Sequence, residues 1–244
     1  MSRRSIDQPI IDRVLFELRP ELLYRCTPEG RLVGVGDPCD PSNESAPDFY
    51  ICYRRGTFIY RFRRGLPRPL ERELISMLRR LPHPRSKHDE RFEGMVLRLA
   101  AEAGTRGRMQ FGPIFYVPAC RRSTLAAVRL DAGGCYRLRG RFRYLDGKLG
   151  LVQPCMARLV GNYPVSICRT VRKTSAAFEG GVETMPSHRR KGYGLDVVAS
   201  WASGVWREGR VPCYSTTWSN QASLSIARRL NMVHFATEAE YCED

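Results

Sequence analysis

The sequence predicts an α/β protein built on a mixed sheet (α+β mixed sheet). Three observations carry this. Short β-branched and aromatic runs alternate with segments of helical periodicity. The C-terminal half reads strand, hairpin, strand, glycine-rich turn, helix, strand, helix. A strand–helix–strand order implies a right-handed crossover between parallel strands. The 244 residues allow one large domain or two small ones, and 43% hydrophobic with 10% aromatic content suits a buried core.

In chain order, "RVLFELRPELLYRC" (13–26) has mixed apolar spacing that Pro20 interrupts, and "GDPCDPSNESAP" (36–47) is a loop rich in Pro, Ser, Asn and Asp. "DFYICYRRGTFIYRF" (48–62) reads as a hairpin around Arg-Arg-Gly. "PRPLERELISMLRRL" (67–81) places Leu70, Leu74, Ile75, Leu78 and Leu81 at helical spacing. "LPHPRSKHD" (81–89) is the best linker, and "ERFEGMVLRLAAEAG" (90–104) a helix stopped by Gly104. From Phe111 on, "GPIFYVP" and "TLAAVRL" are short strands, and 154–160 with 164–171 form two strands around "GNY". "SAAFEGGVETM" (175–185) is a strand whose two glycines mark a bulge or a close backbone approach. A helix over 194–209 buries Leu195, Val198, Ala199, Ala202, Val205 and Trp206 on one face. A strand over 211–218 and a helix over 219–231 follow, the latter with Asn220 as N-cap and Ser223 at its third position. Residues 1–110 thus read as a smaller N-terminal α/β region and 111–244 as the main domain.

No apolar run approaches the ~20 residues needed to span a bilayer, and "MSRRSIDQPIIDRV" lacks the apolar core of a secretory signal. The expectation is a cytoplasmic protein. The nine cysteines stand singly, without a CxxC pair, and the four histidines do not cluster with them. Reduced structural thiols are expected, and no metal site. The net charge of +15 comes mostly from Arg, because only Lys87, Lys148, Lys173 and Lys191 are lysines. Such a surface suits a polyanion such as tRNA, or is simply solvated. The Phe58/Tyr60/Phe62 series with interleaved Arg admits base stacking or, more cheaply, period-2 core packing.

The stretch "SHRRKGYG" (187–194) hands a strand over to a helix. The first helical turn has unpaired N–H groups and about half a unit of positive charge. Gly192 and Gly194 clear side chains from the amides, and Arg189, Arg190 and Lys191 add charge, as a phosphate site would require. The plain alternative is an ordinary turn with solvated basic residues. No G-K-[ST] is present, so this is not a Walker loop; Val197 stands where the dinucleotide fingerprint has its third glycine.

What remains resembles the acyl-CoA site of the GNAT acetyltransferase superfamily, whose signature [QR]-x-x-G-x-[GA] lies between its fourth strand and third helix. Arg189, Gly192 and Gly194 match it. "YSTTWSNQASLSIARRLNM" is similar to the family's second element, with Asn231-Met232 where Gly-Phe is usual. The resemblance is clear over about 150–236 and extends in weaker form to 111. It implies a GNAT-like acyl-CoA N-acyltransferase fold with splayed fourth and fifth strands over 111–244, and it admits residues 1–110 as a degenerate GNAT-like half. Backbone amides of Arg190, Lys191, Gly192, Tyr193, Gly194 and Leu195 would bind the CoA pyrophosphate, with Arg189 bracing the loop. Val182, Glu183 and Thr184 would pair with the pantetheine arm. Asn220 and Ser223 would face its far end, a role compatible with helix capping.

The implied reaction is direct acetyl transfer from acetyl-CoA to a primary amine in a ternary complex, without a metal. A lysine-like amine of pKa about 10.4 is neutral roughly once in 2,500 molecules at pH 7, so deprotonation costs about 4.6 kcal/mol and a base helps. Glu179 is the first candidate base and Glu183 the second; the plain reading of both is exposed carboxylates answering nearby Arg. His188 reads as a loop residue. Many family members place an acidic Tyr seven residues after the Asn, but here Ala227 stands there, and Tyr214 is the substitute. Trp201 and Trp206 are expected to pack in the core, and Trp218 either to wall the cleft or to pack. The partners expected are acetyl-CoA and an amine acceptor, with a monomer or homodimer. The alternative is a basic, tRNA-directed nucleic-acid-binding protein with a vestigial or tRNA-specific acetyl-CoA site.

Overall fold

The computed structural model describes residues 8–39, 46–105, 108–119, 126–133 and 138–242. The chain opens with helices α1 (Gln8–Glu17) and α2 (Arg19–Leu23) and a ribbon of β1 (Tyr24–Cys26) and β2 (Leu32–Val35). The hairpin β3 (Phe49–Arg54) and β4 (Thr57–Phe62) follows, then α3 (Arg68–Leu78) and α4 (Glu90–Glu102). The remainder is β5 (Arg108–Tyr116), β6 (Val128–Arg129), 3-10 turns at Gly140–Leu145 and Leu149–Val152, β7 (Cys155–Val160), β8 (Tyr163–Lys173), β9 (Ala177–Thr184), α5 (Tyr193–Arg207), β10 (Val211–Ser215), α6 (Gln221–Arg229) and β11 (Val233–Cys242).

Nine strands form one sheet in the order β4-β3-β11-β5-β10-β9-β8-β7-β6. All its neighbours are antiparallel except β9 and β10, which α5 joins as the expected crossover. Alternation along the strands sorts the core onto two faces. Tyr50, Cys52, Ile114, Tyr116 and Cys213 point toward α1 and α2. Phe49, Ile51, Tyr53, Met109 and Phe111 point the other way, under α3 and α4. Phe115, Phe178 and Tyr214 share that second face and lie under α5 and α6. Each large side chain fully buried this way, such as Phe92 or Trp201, contributes about 1.5–3 kcal/mol.

Several sequence expectations change in detail. The region around Pro20 holds two helices, because Pro20 sits in the first turn of α2, where no N–H partner is needed. The helix expected over 67–81 ends at Leu78. Of "TLAAVRL", only Val128 and Arg129 form a strand, and 120–125 lie outside the described residues, as do 40–45 of the expected loop. The proline-rich segment at 81–89 is packed down: Gly56 N–H donates to Pro84 O, Lys87 Nζ to His234 O at 2.8 Å, and Asp89 caps α4 by accepting from Phe92 N–H. The last strand, β11, pairs with β5 from Val233↔Tyr116 to Cys242↔Arg108 and with β3 on its other side. It thereby carries the N-terminal hairpin into the same sheet. β5 itself crosses position 110 without a break.

The strand expected over 211–218 stops at Ser215. Beyond it the chain stays with β5: Thr216 N–H donates to Pro113 O and Trp218 N–H to Phe111 O. Gly112 makes this possible, since a Cβ there would lie 1.8 Å from the Thr216 carbonyl oxygen. As β10 follows β5, it parts from β9.

Candidate functional site

The split is explicit in the register. β10 pairs with β9 at Val211↔Ala177, Pro212↔Phe178 and Cys213↔Glu179, and there the pairing ends. β9 continues for five residues, Gly180 to Thr184, with only β8 beside it. Met185 N–H is bonded to Val165 O on the β8 side, so alternation turns the amides of Val182 and Thr184 toward the opening. Gly180 and Gly181 mark close approaches: a Cβ at 180 would meet the Trp201 ring at 2.7 Å, and one at 181 the Val171 methyl at 2.5 Å.

At the end of β9 the chain makes a 3-10 turn, Pro186–His188, and enters α5. Arg190 and Gly192 both have positive φ, 61° and 82°. Left-handed residues interleaved in a turn aim successive amides into one concavity that suits an anion. Asp196 N–H makes the helix's first bond, to Gly192 O, so the amides of Tyr193, Gly194 and Leu195 precede the intrahelical ladder. No side chain caps this helix. Gly194 packs tightly instead: a Cβ there would reach Ile226 at 3.2 Å and the Thr184 hydroxyl at 3.5 Å.

A cleft of about 520 Å³ opens over this turn. It is lined by Val182, Glu183, Thr184, Arg189, Arg190, Gly192, Tyr193, Gly194, Leu195, Asn220 and Ser223, which the sequence singled out, and by His188. Lys191 is not among its walls. Arg141, Arg229, Ala222, Ser225 and Ile226 join it without having been foreseen. Arg189 Nε donates to Thr184 O at 3.4 Å, tying the turn to β9. Asn220 Oδ1 accepts from Ser223 N–H at 3.1 Å, the cap expected from its position. The His188 ring stacks beside Tyr193, and Arg158 lies 4.8 Å over the other ring's centroid at Tyr193. Glu183 accepts from the Tyr144 hydroxyl and lies 3.4 Å from Arg141 Nε. Tyr144 in turn accepts from Arg169, which holds Asp37 through both its Nη atoms. Burial and the Glu183 carboxylate raise the Tyr144 hydroxyl's pKa, keeping it a donor.

A second hollow, about 250 Å³, fills the split itself, between Gly180–Val182 on one side and Tyr214–Thr217 on the other, beside Asn220 and Ser223. The Tyr214 ring is buried under α6, and its hydroxyl, also buried, makes no hydrogen bond of standard geometry. Burial pushes its pKa up to about 12, with the Ser223 side chain acting in the opposite sense.

Glu179 and the Phe58/Tyr60/Phe62 series depart from one of the readings the sequence offered. Glu179 is not an exposed carboxylate: it is 2% exposed, on the α2 face, bound to Arg19. The nearby Arg that answers it is one that the sequence reading did not consider. Phe62 is buried and Phe58 and Tyr60 pack against the α3–α4 core, so these rings are not presented for base stacking. Trp201 is fully buried and donates to Thr170 Oγ1 at 3.1 Å; Trp206 donates to Val117 O. Trp218 packs against the α3–α4 core with its ring stacked on His88 at 3.9 Å, and it also lines a hollow with Phe115, Leu224 and Ala227. Cys26, Cys39, Cys52, Cys155, Cys168 and Cys213 are free thiols, and burial pushes Cys155 up to about 12. Among the described residues no group of three or more His, Cys, Asp and Glu comes together as metal ligands would, and no helix is long and apolar enough to cross a membrane.

The FR47-like protein family, which is GNAT-related, matches residues 165–241, the run from β8 to β11 that contains the split, the turn and α6. The GNAT-related match covers about a third of the chain, the part that holds most of the candidate site. The architecture is mixed α/β with one large mixed sheet. Solved GNAT structures resemble it at low identity. A GNAT-family acetyltransferase from Colwellia psychrerythraea shares 10% identity over 97% of each chain, with a TM-score of 0.48. A GCN5-related N-acetyltransferase-like protein from Streptococcus suis shares 13% over 81% of this chain and 85% of that one, at 0.45. A GNAT-family protein from Novosphingobium aromaticivorans shares 14% over 54% of this chain, at 0.42, and the match spans 63% of that protein's length. No curated protein matches the sequence.

Around the cleft and the split, sequence reasoning missed Gly112, Arg19, Tyr144, Arg141 and Ser215. Gly112 carried a usable signal, a glycine inside a strand pattern, the same signal read at Gly180 and Gly181. Arg19 carried none, because its partners are 160 and 219 residues away.

Proposed function

We propose that the protein is an acetyl-CoA-dependent N-acetyltransferase acting on a primary amine by direct attack in a ternary complex. The GNAT fold supports acyltransferase activity in general. The observation that carries the finer reading is the continuity between the β9–β10 split and the turn at 189–194. An unpaired strand edge leads straight into a concavity of backbone amides ringed by Arg189, Arg190, Arg141 and Arg229.

The chain's residues fit the ligand part by part. The amides from Arg190 to Leu195 suit a diphosphate, whose charge the α5 N-terminus and the flanking guanidinium groups balance. The Val182 and Thr184 amides and carbonyls suit an amide-bearing arm lying along β9 as a strand would. Bound acetyl-CoA supplies an activated thioester carbonyl. The same strand amides can donate to charge that develops on its oxygen. Tyr214, held protonated by burial, lines the split beside Ser223 and is the donor for a departing thiolate, in place of the Tyr that Ala227 replaces. Calorimetry on the full chain tests the reading: micromolar binding of acetyl-CoA supports it, and no heat at millimolar ligand with a folded protein removes it. Thiol release across an amine panel then identifies the acceptor.

A further inference from the structure

Below the split, on the α2 face, lies a closed polar cluster. Arg19 is fully buried, Glu179 2% and Glu238 1% exposed. Arg19 donates to Glu179 through Nη1 at 2.5 Å and Nη2 at 3.3 Å. It donates to Glu238 through Nε at 2.9 Å and Nη2 at 2.6 Å. Tyr50 O–H adds a bond to Glu238 at 2.7 Å, and Ser215 O–H one to Glu179 at 2.7 Å. Four elements meet there: α2, β3, β9 and β11, with the last residue of β10.

Two features assign this cluster a task beyond holding the fold. A buried ion pair is seldom better for stability than well-packed apolar side chains, so its retention points to geometry. The geometry in question is the cleft's own. Glu179 is the last residue of β9 that pairs with β10, and Ser215, two residues past its partner Cys213, is where β10 ends. The Ser215–Glu179 bond therefore spans the two strands at the root of the split. Arg19 fixes the Glu179 carboxylate that accepts it.

We propose that Arg19 is a positioning residue that sets the opening between β9 and β10 by clamping Glu179, which in turn holds Ser215. The proposal rests on the acyl-CoA reading of the cleft. It assigns Glu179 to the clamp and not to proton abstraction. Displacements near 1 Å at a reacting centre carry large penalties, so loosening the clamp acts on the thioester end of the ligand and not on the distant phosphate turn.

The test uses the full chain and two probes: acetyl-CoA, and 3′-phospho-ADP, which has the phosphates but no pantetheine arm. Arg19→Lys and Ser215→Ala are compared with wild type and with Leu78→Ala, a cut in the remote α3 core, all at a temperature where each is folded. Either clamp variant is expected to bind acetyl-CoA about tenfold more weakly while binding 3′-phospho-ADP as wild type does, and the double variant to be no weaker than Arg19→Lys alone. Leu78→Ala is expected to change neither. Should Arg19→Lys not fold, Ser215→Ala carries the test, since it removes only the last link. Equal loss of both probes, or wild-type acetyl-CoA affinity in the clamp variants, overturns the proposal. Wild-type protein that binds neither probe overturns the acyl-CoA reading instead, and the clamp with it.

Discussion

The turn at 186–194 and the Arg19 cluster serve the two ends of one strand, β9, and are built in opposite ways. At the turn, amides stay unpartnered at the surface and positive charge is left over. In the cluster, two buried carboxylates share one guanidinium, and neutral hydroxyls of Tyr50 and Ser215 supply further hydrogen bonds. On the acyl-CoA reading, the difference teaches what each end must do. Capturing an anion from water requires donors that are free but solvated, which is tolerable only at an exposed helix mouth. Fixing the spacing of two strands requires donors that are already satisfied, because an unmet charge in the core costs several kcal/mol. Tyr214 lies between these regimes: it is buried like the cluster and unmet like the turn.

The largest effect is expected where the split originates. Gly112→Val would drive a side chain into the Thr216 carbonyl, at or beyond the top of the ~1–3 kcal/mol range for overpacking. For a chain of this size that is about a 10 °C drop in Tm, or an insoluble protein. A melt within about 2 °C of wild type would mean that β10 does not need this close crossing. Next comes Tyr214→Phe. As the hydroxyl has no satisfactory partner, its removal should leave Tm unchanged or raise it, while kcat falls by about 30-fold at unaltered acetyl-CoA affinity. Unchanged turnover would take Tyr214 out of the chemistry and leave it as packing alone.

A smaller effect is expected at the turn. Gly192→Ala meets no atom within 4 Å, so only its φ of 82° opposes the change. The strain is about 1–2 kcal/mol, and roughly tenfold weaker acetyl-CoA binding should accompany a small loss of Tm. Equal affinity would show that the mouth of α5 does not hold the ligand. The smallest effect concerns pH. Burial pushes His234 down to about 4, with Lys87 and His88 acting in the same sense. The folded state thus favours the neutral ring, so its contribution is present above the unfolded pKa near 6.5 and is lost as pH falls toward 4. Between pH 7 and 5 the loss is about 1 kcal/mol after allowance for residual solvent access, read as a lower Tm that His234→Gln should flatten.

Much of the candidate site was legible because it is local. Arg189, Gly192 and Gly194 lie within six residues, Asn220 caps the helix that follows it, and period-2 runs mark β8 and β9. Each depends on backbone rules that act over one or two turns. β11 was not legible: "VHFATEAEYC" places Glu238 and Thr237 inside, which a pattern of apolar alternation misreads. Glu179 was legible as a titratable strand residue but not as a clamped one.

By itself, then, the amino-acid order determined the crossover, the glycine-cleared helix mouth and the capped α6, since sterics and hydrogen bonding between near neighbours suffice for them. Only the folded chain decided where β9 and β10 part and which cation neutralises Glu179. Those outcomes depend on Gly112 meeting Thr216 and on Arg19 reaching two strands far along the chain, contacts that exist only after the sheet has assembled.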